Sequence, residues 1–271
     1  SNPDVDDIYK VPLMVEDEGL DEYVMNRLGI ADNAVPKADR SQRWRELVTR
    51  ERTGSVEIAL VGKYGLEDAY MSIHEALKHA GIEQQTDVEV LWVDADEMAE
   101  KHAERMAAAD GIIVPGGFGS RGAAGKIDAV RYARENDVPF LGLCLGFQMA
   151  VIEQARNVLG LEGAHSAEID EDTPHPVIDI LPEQKEVNDM GGTMRLGAHE
   201  TRIDADTLAA EVYEADACTE RHRHRYEVNP EYIDKLESEN MVFSGTSGRR
   251  MEILELDDHP YFLGTQFHPE F

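Results

Sequence analysis

From Val56 onward the chain alternates between two kinds of apolar pattern. Short runs that are apolar at nearly every position, VEIALVG (56–62), VEVLWV (88–93), GIIVP (111–115) and PFLGLC (139–144), predict strands buried on both faces. Between them LEDAYMSIHEALKHAG (66–81), DEMAEKHAERMAAAD (96–110), RGAAGKIDAVRYARENDV (121–138) and LGFQMAVIEQARNVLG (145–160) carry apolar residues at helical spacing. Strands that alternate with helices predict an α/β fold: a doubly wound, mostly parallel sheet with helices on both faces. Past Leu161 the pattern loosens, and PVIDIL, TMRLGAHETRI, CTERHRHRYEV, MVFSGTS, MEILEL and YFLGTQF predict shorter strands, so the second half is expected to be richer in β structure. NPEYIDKLESEN (229–240) is the one convincing helix there.

Residues 1–54 show little strand character. IYKVPLMVEDEGLDEYVMNRLGI reads as an extended piece and a short helix, and SQRWRELVTRERTG as a helix closed by Gly54. This organisation suggests a connector over 1–54 and one large domain over 55–271.

The chain has 271 residues, with 55 Asp and Glu against 26 Lys and Arg, a formal net charge of −29. A nucleic acid or an anionic membrane would be repelled by such a surface, so neither is an expected partner. No apolar stretch reaches the roughly 20 residues of a bilayer-spanning helix, and SNPDVDD lacks the layout of a signal peptide, which points to a cytoplasmic protein. The acidity is spread along the chain, as expected of a surface adapted to molar salt; the plainer alternative is acidity that serves solubility alone. Two cysteines, Cys144 and Cys218, are too few for a disulfide framework.

In open α/β sheets the reactive groups lie at the carboxyl ends of the strands, which singles out VPGGFG, LCLG and QFHPEF. Gly142-Leu143-Cys144-Leu145-Gly146 has the form of a nucleophile elbow with Cys in place of Ser, with a strand before it and a helix after it. The helix N-terminus favours thiolate over thiol; the alternative is a buried structural Cys. A Cys nucleophile needs a base and the base an orienting acceptor. His268 and Glu270, separated by Pro269, supply both and suggest a Cys-His-Glu triad. Glycines past the strand at 114–119 make the Gly117 and Leu145 N–H groups candidate oxyanion donors. The competing phosphate-loop reading fails because no G-K-[ST] follows.

Strand alternation sends Arg221, Arg223 and Arg225 to one face and His222, His224 and Tyr226 to the other. Cys218, His222 and His224 lack a fourth ligand and zinc-type spacing, so no metal is expected. His222 and His224 then read as packed or hydrogen-bonding histidines.

The GGFG strand end, the GLCLG elbow and the terminal HPE together resemble the class I (triad) glutamine amidotransferases. VGKYGLEDAYMSIHEALKHAG, VPGGFGSRG, RYARENDVPFLGLCLGFQMAVIEQARNV, MRLGA, ERHRHRYEVNP and QFHPEF are similar to the glutaminase domains of the CTP synthase family, and RHRHRYEVN is the most specific of these segments. VPLMVEDEGLDEYVMNRLGI resembles that family's lead-in from its synthetase domain. The resemblance implies Cys144 as nucleophile, His268 and Glu270 completing the triad, and Gly117 with Leu145, Gly146, Phe147 and Gln148 holding bound L-glutamine. It further implies that Glu168 and Arg225 meet the α-ammonium and α-carboxylate of that substrate. By the same resemblance no cofactor belongs to this domain. ATP, Mg2+ and UTP belong to an N-terminal synthetase domain absent from the chain, GTP acts as an allosteric activator, and the full enzyme is a homotetramer. This piece, which stops directly after the triad glutamate where the family continues, is expected to be a C-terminally truncated monomer. The rival readings are a Cys-triad hydrolase acting on peptides or γ-glutamyl conjugates, and a catalytically silent regulatory module.

Overall fold

The computed structural model describes residues 5, 7–30, 38–63, 65, 69–97, 99–181 and 194–271. The start of the helix expected at 66–81 and the first residue of TMRLGAHETRI lie outside the described residues. The chain divides into two units, residues 1–55 with 77–88 and residues 56–76 with 89–271.

Among the described residues up to 55, the first unit carries α1 (Val11–Asp17), α2 (Leu20–Leu28) and α3 (Ala38–Thr49). The expected extended piece is instead a 3-10 turn at Ile8–Lys10 running into α1. Pro12 sits in the first turn of α1, where a missing N–H leaves no bond unmade. The Trp44 indole N–H donates to the Tyr9 carbonyl at 2.9 Å, and Ser41 Oγ donates to Glu16, so α3 is fastened to α1 and its lead-in. Gly54 does not close α3, which ends at Thr49; Thr53 N–H already donates to the Gln85 carbonyl at 2.8 Å, extending the chain ahead of the first strand.

Among the described residues the large sheet has nine strands: β1 (Gly54–Gly62), β2 (Thr86–Asp94), β3 (Gly111–Val114), β4 (Phe140–Leu143), β7 (Arg195–Ile203), β8 (Ala217–His224), β10 (Met241–Ser247), β11 (Arg250–Leu256) and β12 (Phe262–Thr265). Their order is β2-β1-β3-β4-β12-β11-β10-β7-β8. The pairs β1–β3, β3–β4 and β4–β12 are parallel, and from β12 to β8 every pair is antiparallel. Helices α4 (Met71–Glu83), α5 (Ala99–Ala108), α6 (Ala123–Glu135) and α7 (Leu145–Glu153) connect the first strands, giving the α/β class expected. A small sheet of β5 (His165–Ser166), β6 (Pro176–Asp179) and β9 (Glu227–Val228) completes the β-rich half.

Along β11 and β12 both faces of the large sheet are buried. Leu254 and Phe262 join the main core with Phe147 and Phe140, whereas their chain neighbours Ile253 and Leu263 join a second cluster with Ala209 and Phe267. Successive strand residues point to opposite faces, so one pleated strand feeds both cores. The second cluster is covered by α8 (Leu208–Tyr213), a short helix capped by Thr207 that periodicity did not predict. The helix expected over 229–240 is only a 3-10 turn at Pro230–Tyr232 and α9 (Ile233–Leu236).

CTERHRHRYEV is not one strand. It leaves the large sheet at His224 and enters the small one at Glu227. Exposure alternates from Arg221 to His224 as expected, then the turn turns both Arg225 and Tyr226 toward one cavity.

Candidate active site

Cys144 stands between β4 and α7 with φ 51° and ψ −96°, which is neither strand nor helix. A non-glycine residue at positive φ is held there only if its surroundings fix it. Cys144 N–H donates to the Thr265 carbonyl at 2.7 Å, and its own carbonyl accepts from Gln148 N–H at 3.2 Å. The flanking glycines are steric requirements: a Cβ on Gly146 would lie 2.1 Å from the Val114 carbonyl oxygen, and one on Gly142 would lie 2.8 Å from the Gly146 carbonyl carbon. Strand and helix therefore approach closely enough to leave the sulfur at the first turn of α7, where backbone N–H groups lack intrahelical acceptors.

The bond from Cys144 to Thr265 also delivers the other partners. Past β12 the chain continues alongside its neighbours, Gln266 N–H donating to the Glu252 carbonyl and His268 N–H to the Arg221 carbonyl, both at 2.8 Å. The latter is an antiparallel bridge that places the His268 ring beside Cys144. His268 Nδ1 meets Glu270 Oε1 at 2.8 Å. With Nδ1–H donated to the carboxylate, Nε2 is the ring atom left for the sulfur. Burial pushes the imidazolium down, but the Cys144 and Glu270 side chains outweigh it and hold His268 up at about 10.

Cys144 and His268 open into a cavity of about 440 Å³ walled by Gly117, Phe118, Leu145, Gln148, Glu168, Arg225 and Tyr226 among others. Burial raises the Glu168 carboxyl, while a Gly119 backbone N–H, Arg225 and Lys63 act in the opposite sense. A carboxylate and a guanidinium from distant segments thus share the cavity with the sulfur and the imidazole.

The Phe147 side chain is fully buried and packs on Phe243 in the main core, with ring centroids 6.4 Å apart, because at this point of α7 it faces the sheet. Only its main chain belongs to the elbow. Gln148 lines the cavity, yet its Nε2 donates to the Tyr226 carbonyl and to Gln266 Oε1, both at 3.1 Å. Gln266 in turn points Nε2 at Cys144 Sγ, 3.8 Å away. Sequence reasoning passed over Gln266, although its place two residues before His268 in a buried strand end was a usable signal.

Beneath the cavity lies a buried polar network. His224 Nδ1 contacts the Tyr226 carbonyl at 3.2 Å and His224 Nε2 contacts His222 Nδ1 at 2.9 Å, which fits two neutral rings in series. Burial, with Arg195 next, pushes His222 down to about 2 and His224 to about 3. The partner that joins them is Glu252, not Cys218: ligand atoms of His222, His224 and Glu252 lie within 4.8 Å of one another. Glu252 is paired with Arg195, and His222 Nδ1 and His224 Nε2 are already bonded to each other. Arg250 Nε donates to Glu227 Oε1 at 3.1 Å, joining the large sheet to the small one.

Residues 66–271 match the family described as "Glutamine amidotransferase class-I". Among curated relatives, the CTP synthase of Natronomonas pharaonis is 72% identical over all of this chain and 50% of its own length. That of Pyrococcus abyssi is 54% identical over 99% of this chain and 50% of its own. The chain thus spans about half the length of the curated relatives it matches. A solved structure described as the Trypanosoma brucei CTPS glutaminase domain with bound acivicin superposes with a TM-score of 0.75 at 38% identity, over 80% of this chain and 86% of that one. The chain belongs to the class-I glutamine amidotransferase family, in company with the glutaminase domains of CTP synthases.

Proposed function

We propose that this chain hydrolyses the carboxamide of L-glutamine through Cys144, His268 and Glu270. The observation that carries the reading is the meeting of a conformationally restrained Cys144 with the His268–Glu270 pair at the mouth of a cavity that also holds Glu168 and Arg225. Glutamine presents one ammonium and one carboxylate at its α-carbon, and these two side chains answer both charges. Cys144 sulfur attacks the carboxamide carbon with its proton on His268. The Gly117 and Leu145 N–H groups receive the oxyanion, and His268 protonates the departing ammonia. His268 then activates water, which cleaves the thioester and releases glutamate. Gln266 and Gln148 hold the sulfur in line, and the main chain of Leu145, Gly146 and Phe147 forms the wall of the elbow.

In the longer protein the ammonia is consumed by an N-terminal synthetase domain, which aminates UTP to CTP with ATP and Mg2+ and is activated by GTP. Those groups are assigned to segments beyond this chain, whose glycine loop at 116–119 is followed by Ser120-Arg121 and not by a phosphate-loop Lys. The whole enzyme acts as a cytoplasmic homotetramer and this piece as a monomer.

A diazo-ketone analogue of glutamine tests the reading. It should alkylate Cys144, glutamine should protect the site, and Cys144→Ala should abolish both labelling and ammonia release in the chain joined to its synthetase half. Labelling at another residue, or no protection by glutamine, would favour a peptide or γ-glutamyl hydrolase; ammonia release that survives the substitution would remove the triad.

A further inference from the structure

Lys126 has no part in the chemistry above, and its placement is hard to explain by packing alone. It lies in the first turn of α6, fully removed from solvent, and its Nζ has no hydrogen-bond partner among the described residues. An ammonium withheld from water without a partner opposes folding, and a methionine would fill the same space without that cost. Long side chains on a helix lean toward its N-terminus, which carries Nζ back under the glycine loop. There it lies 3.5 Å from where a Cβ on Gly117 would be, on the side of the loop also met by Leu145.

The charged groups that Lys126 feels are Lys63, which repels it, and Cys144, which attracts it once ionised. Elements packed on α6 bring no counter-ion to it among the described residues whose side chains are placed. β3 and β4 carry no ionisable side chain, Glu153 of α7 is bonded to Arg134, and Glu104 of α5 is exposed to solvent. The anion this ammonium faces is the one that forms at the elbow. Burial first, and Lys63 second, push Lys126 down to about 8, so its charge is present at neutral pH and lost not far above it.

We propose that Lys126 is a positioning residue of the glutaminase site, its buried ammonium acting through the Gly117 loop to hold negative charge on Cys144 and on the oxyanion. This rests on the hydrolase reading above. It adds a fixed charge to hydrogen-bond donors already in place, in a region that water does not screen.

The test uses Lys126→Met and Lys126→Gln in the chain joined to its synthetase half, with two readouts. The first is carboxamidomethylation of Cys144 by iodoacetamide between pH 6 and 10, which needs no glutamine; the second is kcat and KM for glutamine. Either variant should slow alkylation at pH 7 on the order of tenfold and lower kcat on the order of 10- to 100-fold with KM little changed. The wild-type fall in kcat near pH 8 should disappear from both. A kcat at the wild-type level, an unchanged pH profile, or an effect on KM alone would overturn the proposal. If wild-type chain alkylates at Cys144 but never hydrolyses glutamine, the hydrolase reading fails while the alkylation profile still decides the role of Lys126. A urea midpoint at or above wild type for Lys126→Met would exclude misfolding as the cause, and where that variant does not fold, Lys126→Gln carries the same readouts.

Discussion

Glu270→Gln isolates the charge on the acceptor that orients His268. The 2.8 Å contact between Nδ1 and Oε1 keeps its length in the variant, so what is lost is the negative charge. Two unit charges about 4 Å apart at the edge of a buried site interact by about 4 kcal/mol at an effective dielectric constant of about 20. A neutral hydrogen bond returns roughly 1 kcal/mol, which leaves a loss of about 3 kcal/mol in the step that forms imidazolium. At about 1.4 kcal/mol per decade, kcat for glutamine hydrolysis should fall by about a hundredfold with KM nearly unchanged. It should fall further if the amide N–H turns toward Nδ1 and moves the ring proton to the side facing sulfur. The same charge bears on stability. Because His268 is raised to about 10 in the folded chain, its contribution is fully present below its unfolded value of about 6.5 and is lost as pH rises through about 10. Urea denaturation should therefore show wild type ahead of Glu270→Gln by its largest margin near pH 6 and by almost nothing above pH 10. Steady-state kinetics and paired denaturation series at pH 6, 8 and 10 check both limbs. A variant within threefold of wild-type kcat, or a stability gap that widens toward high pH, refutes the assignment of Glu270 as the charge partner of His268.

Three further outcomes are expected. Gly146→Ala should destabilise the chain by at least about 3 kcal/mol in urea titration, because its Cβ would meet the Val114 carbonyl at 2.1 Å and backbone on both sides would have to move. Arg195→Met should cost about 3–5 kcal/mol by leaving Glu252 buried without its cation, and adding Glu252→Leu should recover most of that loss in a double-mutant cycle. A net charge of −29 makes the folded chain repel itself, so its melting temperature should rise between about 0.1 and 1 M KCl as the Debye length shrinks from about 10 to 3 Å. A flat melting curve across that series would leave acidity a matter of solubility alone.

Much of the architecture was legible because local rules and tertiary environment agree there. The runs at 58–62, 111–114 and 140–143 are apolar throughout because they lie in the interior of a sheet covered on both faces, and a pattern of that kind needs no partner to be recognised. The elbow was legible for a similar reason: a turn this tight needs glycine at 142 and 146, so its geometry is written in residue type. Where the chain changes sheets the signal fails. Nothing local marks the break between His224 and Glu227, because continuing a strand and crossing to a second sheet suit the same alternating residues. Short helices failed for the opposite reason: α8 has six residues, too few for a period, and exists because Ala209 is needed against Ile253 and Phe267.

What residue order alone decides about this protein is which groups are chemically able to act: a sulfur between glycines at the mouth of a helix, and an imidazole two residues from a carboxylate. Which of 55 acidic side chains faces that sulfur is a question of long-range closure. Glu168, Arg225, Gln266 and Lys126 are far apart in the chain and carry no mutual spacing rule. Glu168 and Arg225 share one cavity with Cys144, Gln266 reaches its sulfur and Lys126 lies against Gly117, through contacts such as β12 beside β4 and the His268 backbone on Arg221 that are settled by the packing of whole layers.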